Sequence, residues 1–350
     1  MGELPNISKP ASIKDIARAA KVSHSTVSRA LSNSPRVKAE TVARIRRIAE
    51  EHGYHASAIG RSLATSRTFT IGVVVTTIAD LFSAGILSGI EEVAGDHGYS
   101  VFLANSNAEP AREVRVVRGF QERRVDGIIV MASRVGAMHV PMLSTMRVPI
   151  VLINNQHPSE FVHSVNIENL AASEEATRHL IGLGHRRIAY VGDRNGSHSD
   201  TERFGGYRRA LESADIPFDP TLVVHGDAHP ESGMKSAAQL LSLPVPPTAI
   251  FCYDDMTAVG AIREIHDRGK RVPDDVSIIG FDDLPIVQYT EPPLTTIRQP
   301  MARMGRIAME TMLELLAGSK SSHHVRVAGE LVIRASTAAP RSAVSAVAIH

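Results

Sequence analysis

Cysteine is almost absent from this chain of 350 residues: Cys252 is the only one, so no internal disulfide can form. The N-terminal residues include Glu3, Pro5 and Lys9 without the apolar core of a secretory signal, and no run is long enough to span a bilayer. These absences exclude a disulfide scaffold and an integral membrane protein, and the expectation is a soluble chain in the reducing cytoplasm. Cys252 ends the apolar run Ala249–Cys252, where burial in a strand accounts for it better than reactivity does. The 16 histidines include close pairs, His52 with His55, His225 with His229 and His323 with His324, but no tetrahedral set of partners in sequence. No metal is expected. Nor does the chain contain a G-x-G-x-x-G, P-loop, G-x-S-x-G or H-E-x-x-H pattern, so no cofactor is expected either.

What is present begins with size and charge. A chain of this length with 43% hydrophobic residues can bury enough surface for a small head and two larger lobes. Through Arg67 there are 12 Lys/Arg against 5 Asp/Glu, whereas the whole chain carries 38 against 37. A basic head followed by an acidic body suits one part that meets a phosphate backbone and another that does not.

Within that head, Ser12–Leu31 writes out two short helices joined by a tight turn. Ser12 and Asp15 stand at capping-box spacing, and Ile13, Ile16, Ala17 and Ala20 recur along one side. Ser23 can cap the second helix, with Val22 and Val27 at the spacing of a hydrophobic staple. Val27, Ala30 and Leu31 face inward, leaving His24, Ser25, Ser28 and Arg29 as a donor-rich outer set. That is the layout of a helix-turn-helix DNA reader; the plainer alternative is a small helical hairpin. A third helix, Lys38–His52, stops at Gly53, and its Arg44, Arg46 and Arg47 read as a solvated face. His55–Ser66 forms at most a marginal helix carrying Ile59 and Leu63.

From Phe69 short apolar strands alternate with amphipathic helices. The strands are Ile71–Val75, Val101–Ala104, Gly127–Met131, Ile150–Ile153, Ile188–Val191, Val223–His225, Ala249–Cys252 and Ser277–Gly280. The helices fall at Ala84–His97 and Pro110–Arg123, and near Leu170–Leu183, Arg203–Ser213, Glu231–Leu241 and Thr257–Arg268. This alternation predicts two doubly wound parallel-sheet lobes, with a ligand at the carboxyl ends of the strands where the lobes face each other. The tail from Pro340 to His350 is weakly patterned and is expected to be disordered.

Read together, these segments resemble the lac repressor/Gal repressor family of bacterial transcription regulators from Ser12 to about Arg334. The likeness rests on IKDIARAAKVSHSTVSRAL, GRSLA (Gly60–Ala64), RRVDGIIV (Arg123–Val130), LGHRRIAYVG (Leu183–Gly192), ERFGGY (Glu202–Tyr207), DDMTAVGA (Asp254–Ala261), VPDDVSIIGFDD (Val272–Asp283) and PPLTTIRQP (Pro292–Pro300). The resemblance implies an all-α helix-turn-helix head (1–54), a hinge helix (55–67) and a periplasmic-binding-protein-like α/β core (68–339). Three crossovers would make each lobe discontinuous, the first lobe about 68–165 and 297–325, the second about 166–296 and 326–339.

Carried over residue by residue, the resemblance implies DNA contacts from Ser12, Lys14, Ser23, His24, Ser25, Thr26, Ser28 and Arg29 in the head. In the hinge it implies Ser57, Gly60, Leu63 and Ala64, with Leu63 as an apolar wedge in the minor groove of a palindromic operator. It implies an effector site of Phe82, Ser83, Asn166, Glu168, Arg203, Asp254 and Asp282. A guanidinium beside carboxylates suits the hydroxyls of a sugar. The sequence departs from the family's pattern at Lys21 (usually glycine), Ala56-Ser57 (Pro-Asn), Gly60 (alanine), Ser83 (aromatic), Glu168 (aspartate) and Asp254 (asparagine). For the four aspartates Asp254, Asp255, Asp282 and Asp283, capping and turn formation is the alternative role.

The reading is therefore a homodimeric, sugar-controlled repressor with double-stranded DNA and a small molecule as partners, no membrane contact and no enzymatic activity. A transport-type sugar-binding protein would share the core but have no use for a basic head. A sugar-acting enzyme could use the paired aspartates, yet no catalytic motif accompanies them.

Overall fold

The computed structural model describes residues 11–31, 36–54, 67–133, 148–155, 163–319 and 321–341. They fall into two compact units: the described residues up to Thr70 with Arg124–Asp126, and Ile71–Arg123 with the residues from Gly127 onward.

The first unit is built on α1 (Ile13–Ala19), α2 (His24–Leu31) and α3 (Ala39–Glu51). Ile16, Ala17, Ala20, Val27, Ala30, Ile45 and Ala49 form its buried centre, with Val22 and Leu31 packed beside them. At the start of α1 the Asp15 carboxylate accepts from Ser12 N–H (3.0 Å) and Ser12 Oγ (2.6 Å). Those bonds hold the Asp15 carboxyl below its usual range. The turn into α2 runs through Lys21 at φ +51°. Lys21 N–H donates to Arg18 O (3.2 Å) and Val22 N–H to Ala17 O (3.0 Å), the paired bonds of a Schellman stop. α3 ends the same way, with Gly53 at φ +57° and Tyr54 N–H on Ala49 O at 2.8 Å.

The same unit includes a hydrogen-bonded cluster around Asp126. The Asp126 carboxylate accepts from Thr68 N–H (2.7 Å), Thr68 Oγ1 (2.9 Å) and Phe69 N–H (2.9 Å).

The second unit holds two sheets with the same plan. The first takes the order β2 (Ser100–Asn105), β1 (Thr70–Val75), β3 (Gly127–Met131), β4 (Ile150–Ile153), β5 (His163–Ile167) and β11 (His323–Val327). The second is β7 (Val223–Gly226), β6 (Ile188–Asp193), β8 (Ala249–Cys252), β9 (Ser277–Asp282), β10 (Thr295–Arg298) and β12 (Glu330–Val332). β12 runs antiparallel to β10; β3, β6, β8 and β9 are buried along their whole length, as strands covered on both faces must be.

The chain leaves the first sheet after Ile167, returns after Arg298 and leaves again after Val327. Arg298 still pairs within the second sheet, so the returning segment is Gln299–Val327, slightly later than the 297–325 expected. Arg341, inside the tail expected to be disordered, pairs with Asp274 (3.1 Å) and Asp275 (3.3 Å), while residues 342–350 lie outside the described residues.

The covering helices are α4 (Leu81–Asp96), α5 (Pro110–Glu122), α6 (Asn169–Gly182), α7 (His198–Ser213), α8 (Pro230–Leu241), α9 (Asp255–Asp267) and α10 (Met301–Leu316). α4 begins three residues before the expected Ala84 because Asp80 caps it, accepting from Phe82 N–H at 3.0 Å. α7 likewise begins at His198, where Ser197 Oγ accepts from Asp200 N–H (3.2 Å). Each lobe has a helix pair that packs backbone to backbone, and the second lobe has a further one through Gly206 of α7. A Cβ on Gly305 would lie 2.0 Å from Ile86 O, and one on Gly260 1.9 Å from Pro230 O.

Candidate functional site

Two surfaces carry the polar chemistry. On the head, Ser23 Oγ accepts from Thr26 N–H (3.1 Å) and lies 2.8 Å from both Ser25 Oγ and Thr26 Oγ1. These hydroxyls lock the first turn of α2. His24 and Arg29 are exposed on this helix, Ser28 is half-buried, and Lys14 is exposed on α1. An exposed imidazole and guanidinium on a rigid, capped helix can enter a major groove and donate to base edges. Ser57, Gly60, Leu63 and Ala64 lie outside the described residues.

In the core, Arg203 of α7 is only 4% exposed. Its guanidinium lies 3.6 Å from the Phe281 ring centre and 4.5 Å from that of Tyr253. Nε donates to Asn169 Oδ1 (2.9 Å), Nη1 to Tyr253 O (2.6 Å), and Nη2 stands 3.8 Å from Asp282 Oδ1. Asp282 closes β9 at φ +120° and accepts from Gln299 Nε2 at 2.5 Å. Burial pushes its carboxyl up to about 8, against the pull of Arg203, and the charges of Asp254 and Asp80 add to the rise.

Asp254, half-buried, caps α9 by accepting from Thr257 N–H at 2.7 Å, and desolvation moves it up to about 6. Asp255 is fully buried and ties the loop after β9 to β10, taking bonds from Leu284 N–H (2.8 Å) and Thr296 Oγ1 (2.6 Å). Asp283 pairs with Arg298 (2.7 Å) and Arg334 (2.6 Å).

The first lobe supplies the opposite wall. Asp80 raises the pKa of both Asp254 and Asp282, and Phe82 packs on the apolar cluster that contains Leu284 and Val287, with Met256 beside it. Ser83 is buried and donates to Asp80 (2.9 Å). Asn166 lines a small polar pocket with Asn169, His198, Glu202 and Arg326, and its Oδ1 accepts from Asn155 N–H at 2.8 Å. Asn169 Nδ2 donates to Glu202 (3.1 Å), so one side chain links this pocket to Arg203. Glu168 stands at the first crossover, its N–H on Val327 O at 2.9 Å.

Arg203, Asp254 and Asp282 thus meet at one place, with Phe82 and Ser83 beside them through Asp80; Asn166 sits one residue link away through Asn169. Sequence reasoning missed Asp80, Asn169, Tyr253 and Gln299. Only Asp80 had a partial signal, an aspartate four residues ahead of the apolar pattern expected from Ala84.

A helix-turn-helix head on a two-lobed α/β core with a charged floor defines a DNA-binding regulator of the ligand-responsive type. Residues 12–57 match the family described as bacterial regulatory proteins, lacI family, and residues 177–337 match the periplasmic binding protein-like domain. The chain is 37% identical over 330 residues to the HTH-type transcriptional repressor CytR of Escherichia coli (strain K12), covering 94% of this chain and 97% of that protein. Among solved structures, the lac repressor dimer bound to operator and the anti-inducer ONPF superposes with TM-score 0.87 at 27% identity, over 95% of this chain and 100% of that one. A CelR–cellobiose complex superposes with TM-score 0.72 at 29% identity, over 93% and 99%. The chain belongs to the lacI family of bacterial regulatory proteins. Among the described residues no helix is long and apolar enough to cross a membrane, and no three His, Cys, Asp or Glu gather to hold a metal.

Proposed function

We propose that this protein is a cytoplasmic, homodimeric repressor that binds a palindromic operator and changes its affinity when a small molecule, a sugar, occupies the site around Arg203. The observation that carries the reading is the presence, in one chain, of an exposed His24–Arg29 face and a buried guanidinium set among carboxylates. His24, Ser25, Ser28 and Arg29 face bases, with Ser12, Lys14, Ser23 and Thr26 at the backbone. The hinge residues Ser57, Gly60, Leu63 and Ala64 enter the minor groove, Leu63 as the wedge. Arg203, Asp254 and Asp282 take the sugar hydroxyls, with Phe82, Ser83, Asn166 and Glu168 completing the site. Exposed Phe102 and Leu103 on edge strand β2 support a dimer through the first lobe, since a second copy would cover them.

Selection of genomic fragments by the full chain, followed by anisotropy titration, tests this reading. Arg29→Ala should weaken the selected site by about 1–3 kcal/mol and leave random DNA nearly unchanged. Equal losses on both would reduce Arg29 to a phosphate contact. Failure to enrich any sequence would overturn the repressor reading itself.

A further inference from the structure

The site around Arg203 is richer in acceptors than a neutral sugar requires. Asp282 stands 3.8 Å from Arg203, whose Nη1 donates to the carbonyl of the residue before Asp254, and Asp80 at the start of α4 is close enough to both carboxylates for its charge to raise their pKa values. The one guanidinium among them is already committed, to Asn169, the Tyr253 carbonyl and Asp282. A further acceptor lies beside Asp282. Gln299 is 3% exposed and gives its Nε2 hydrogen to Asp282, while its Oε1, on the same amide carbon, is buried and accepts no hydrogen bond from any described residue. A buried acceptor without a donor is costly and is normally satisfied by something that binds there.

Resting on the sugar reading above, we infer that the small molecule carries a protonated amine, making it an amino sugar, with the ammonium placed among Asp80, Asp254, Asp282 and Gln299 Oε1. A hydroxyl brings one donor to this set. An ammonium brings three donors and a positive charge that favours the ionised forms of Asp80, Asp254 and Asp282. The same excess repels phosphorylated and carboxylated sugars.

The test uses the full chain, calorimetry and thermal shift at one fixed pH, and matched probes. These are glucosamine, galactosamine and mannosamine, their neutral parents glucose, galactose and mannose, and the 6-phosphates of the parents. At least one amino sugar should bind about tenfold or more tightly than its parent, and the 6-phosphates most weakly. Asp80→Asn and Asp254→Asn keep an oxygen for the Phe82 and Thr257 N–H groups, so both helices stay capped. Each should bring the ratio of amino to neutral affinity toward one. A parent that binds as tightly as its amine, or a 6-phosphate that binds best, overturns the amine and leaves the sugar reading standing. Binding by no member of the panel, with operator binding intact, overturns both.

Discussion

The two lobes are built to one plan and furnished differently. Both have six strands in the same order, and both clamp a helix pair through glycine, Gly305 on Ile86 O in the first and Gly260 on Pro230 O in the second. Their strand ends diverge. The second lobe ends its strands in Asp193, Tyr253-Asp254 and Asp282-Asp283, of which Tyr253 and Asp282 meet Arg203, whereas the first presents Asn154, Asn155 and Asn166. Close backbone approach is common to both lobes, while the guanidinium and most of the carboxylates gather on the second; under the proposed function the second lobe would hold the stronger polar contacts to the small molecule.

The largest expected effect tests that division. Arg203→Ala should cost about 2–5 kcal/mol of small-molecule affinity, because it strips a buried, hydrogen-bonded charge of its partner. Asn166→Ala on the first lobe should cost only about 1 kcal/mol. Calorimetry with the tightest-binding sugar of the panel measures both, and equal losses would end the asymmetry.

The shared plan is tested by Gly305→Ala and Gly260→Ala. Each places a methyl against a carbonyl oxygen and should destabilise the core by about 1–3 kcal/mol in denaturant unfolding. A large loss in one lobe and none in the other would show that the two helix pairs are not equivalent.

The polar difference also has a pH signature. Asp282 is raised to about 8, above its unfolded value, so the folded state binds more protons and stability falls as pH rises toward 8. From pH 8 down to 6.5 the core should gain stability, at most about 1.4 kcal/mol per pH unit for one proton. Below that, His163, His179 and His185, all lowered by burial, oppose the gain. Thermal melts of the full chain against Asp282→Asn should show the slope above pH 6.5 flatten in the variant; an unchanged slope would remove Asp282 as its source.

The smallest effect carries the argument about backbone into the head. Its two helix stops share a geometry, but Lys21 occupies the left-handed position that Gly53 fills in the other. Lys21→Gly should stabilise the head by about 1 kcal/mol and Gly53→Ala destabilise it by a similar amount. A destabilising Lys21→Gly would mean that the lysine side chain contributes more than the strain it imposes.

Much of this was legible in the sequence, for physical reasons that differ by element. Fully buried β3 and β8 are continuous apolar runs, as is β1 from Ile71 onward. β5, reading HSVNI, is half polar, and β12 has three residues, so neither stands out from loop. Arg203 and Asp282 were legible through the family resemblance. Asn169 and Gln299 were not, because each acts by orienting a charged neighbour, Arg203 or Asp282, that lies 34 or 17 residues away in sequence, and proximity of that kind exists only in the folded chain. The helix starts at Leu81 and His198 were missed because their caps, Asp80 and Ser197, precede residues without a clean apolar period.

That threading also dictates an order of events during synthesis. β5 emerges early, yet its outer partner β11 begins only at His323, and β10 acquires its antiparallel neighbour only at Glu330. Until those residues leave the ribosome, β5 and β10, internal in the finished sheets, are edge strands on the same side of their strand order, ready to pair with another nascent chain. Premature termination anywhere between β10 and β11 would strand both edges at once, so incomplete chains should be conspicuous to proteases and holding chaperones.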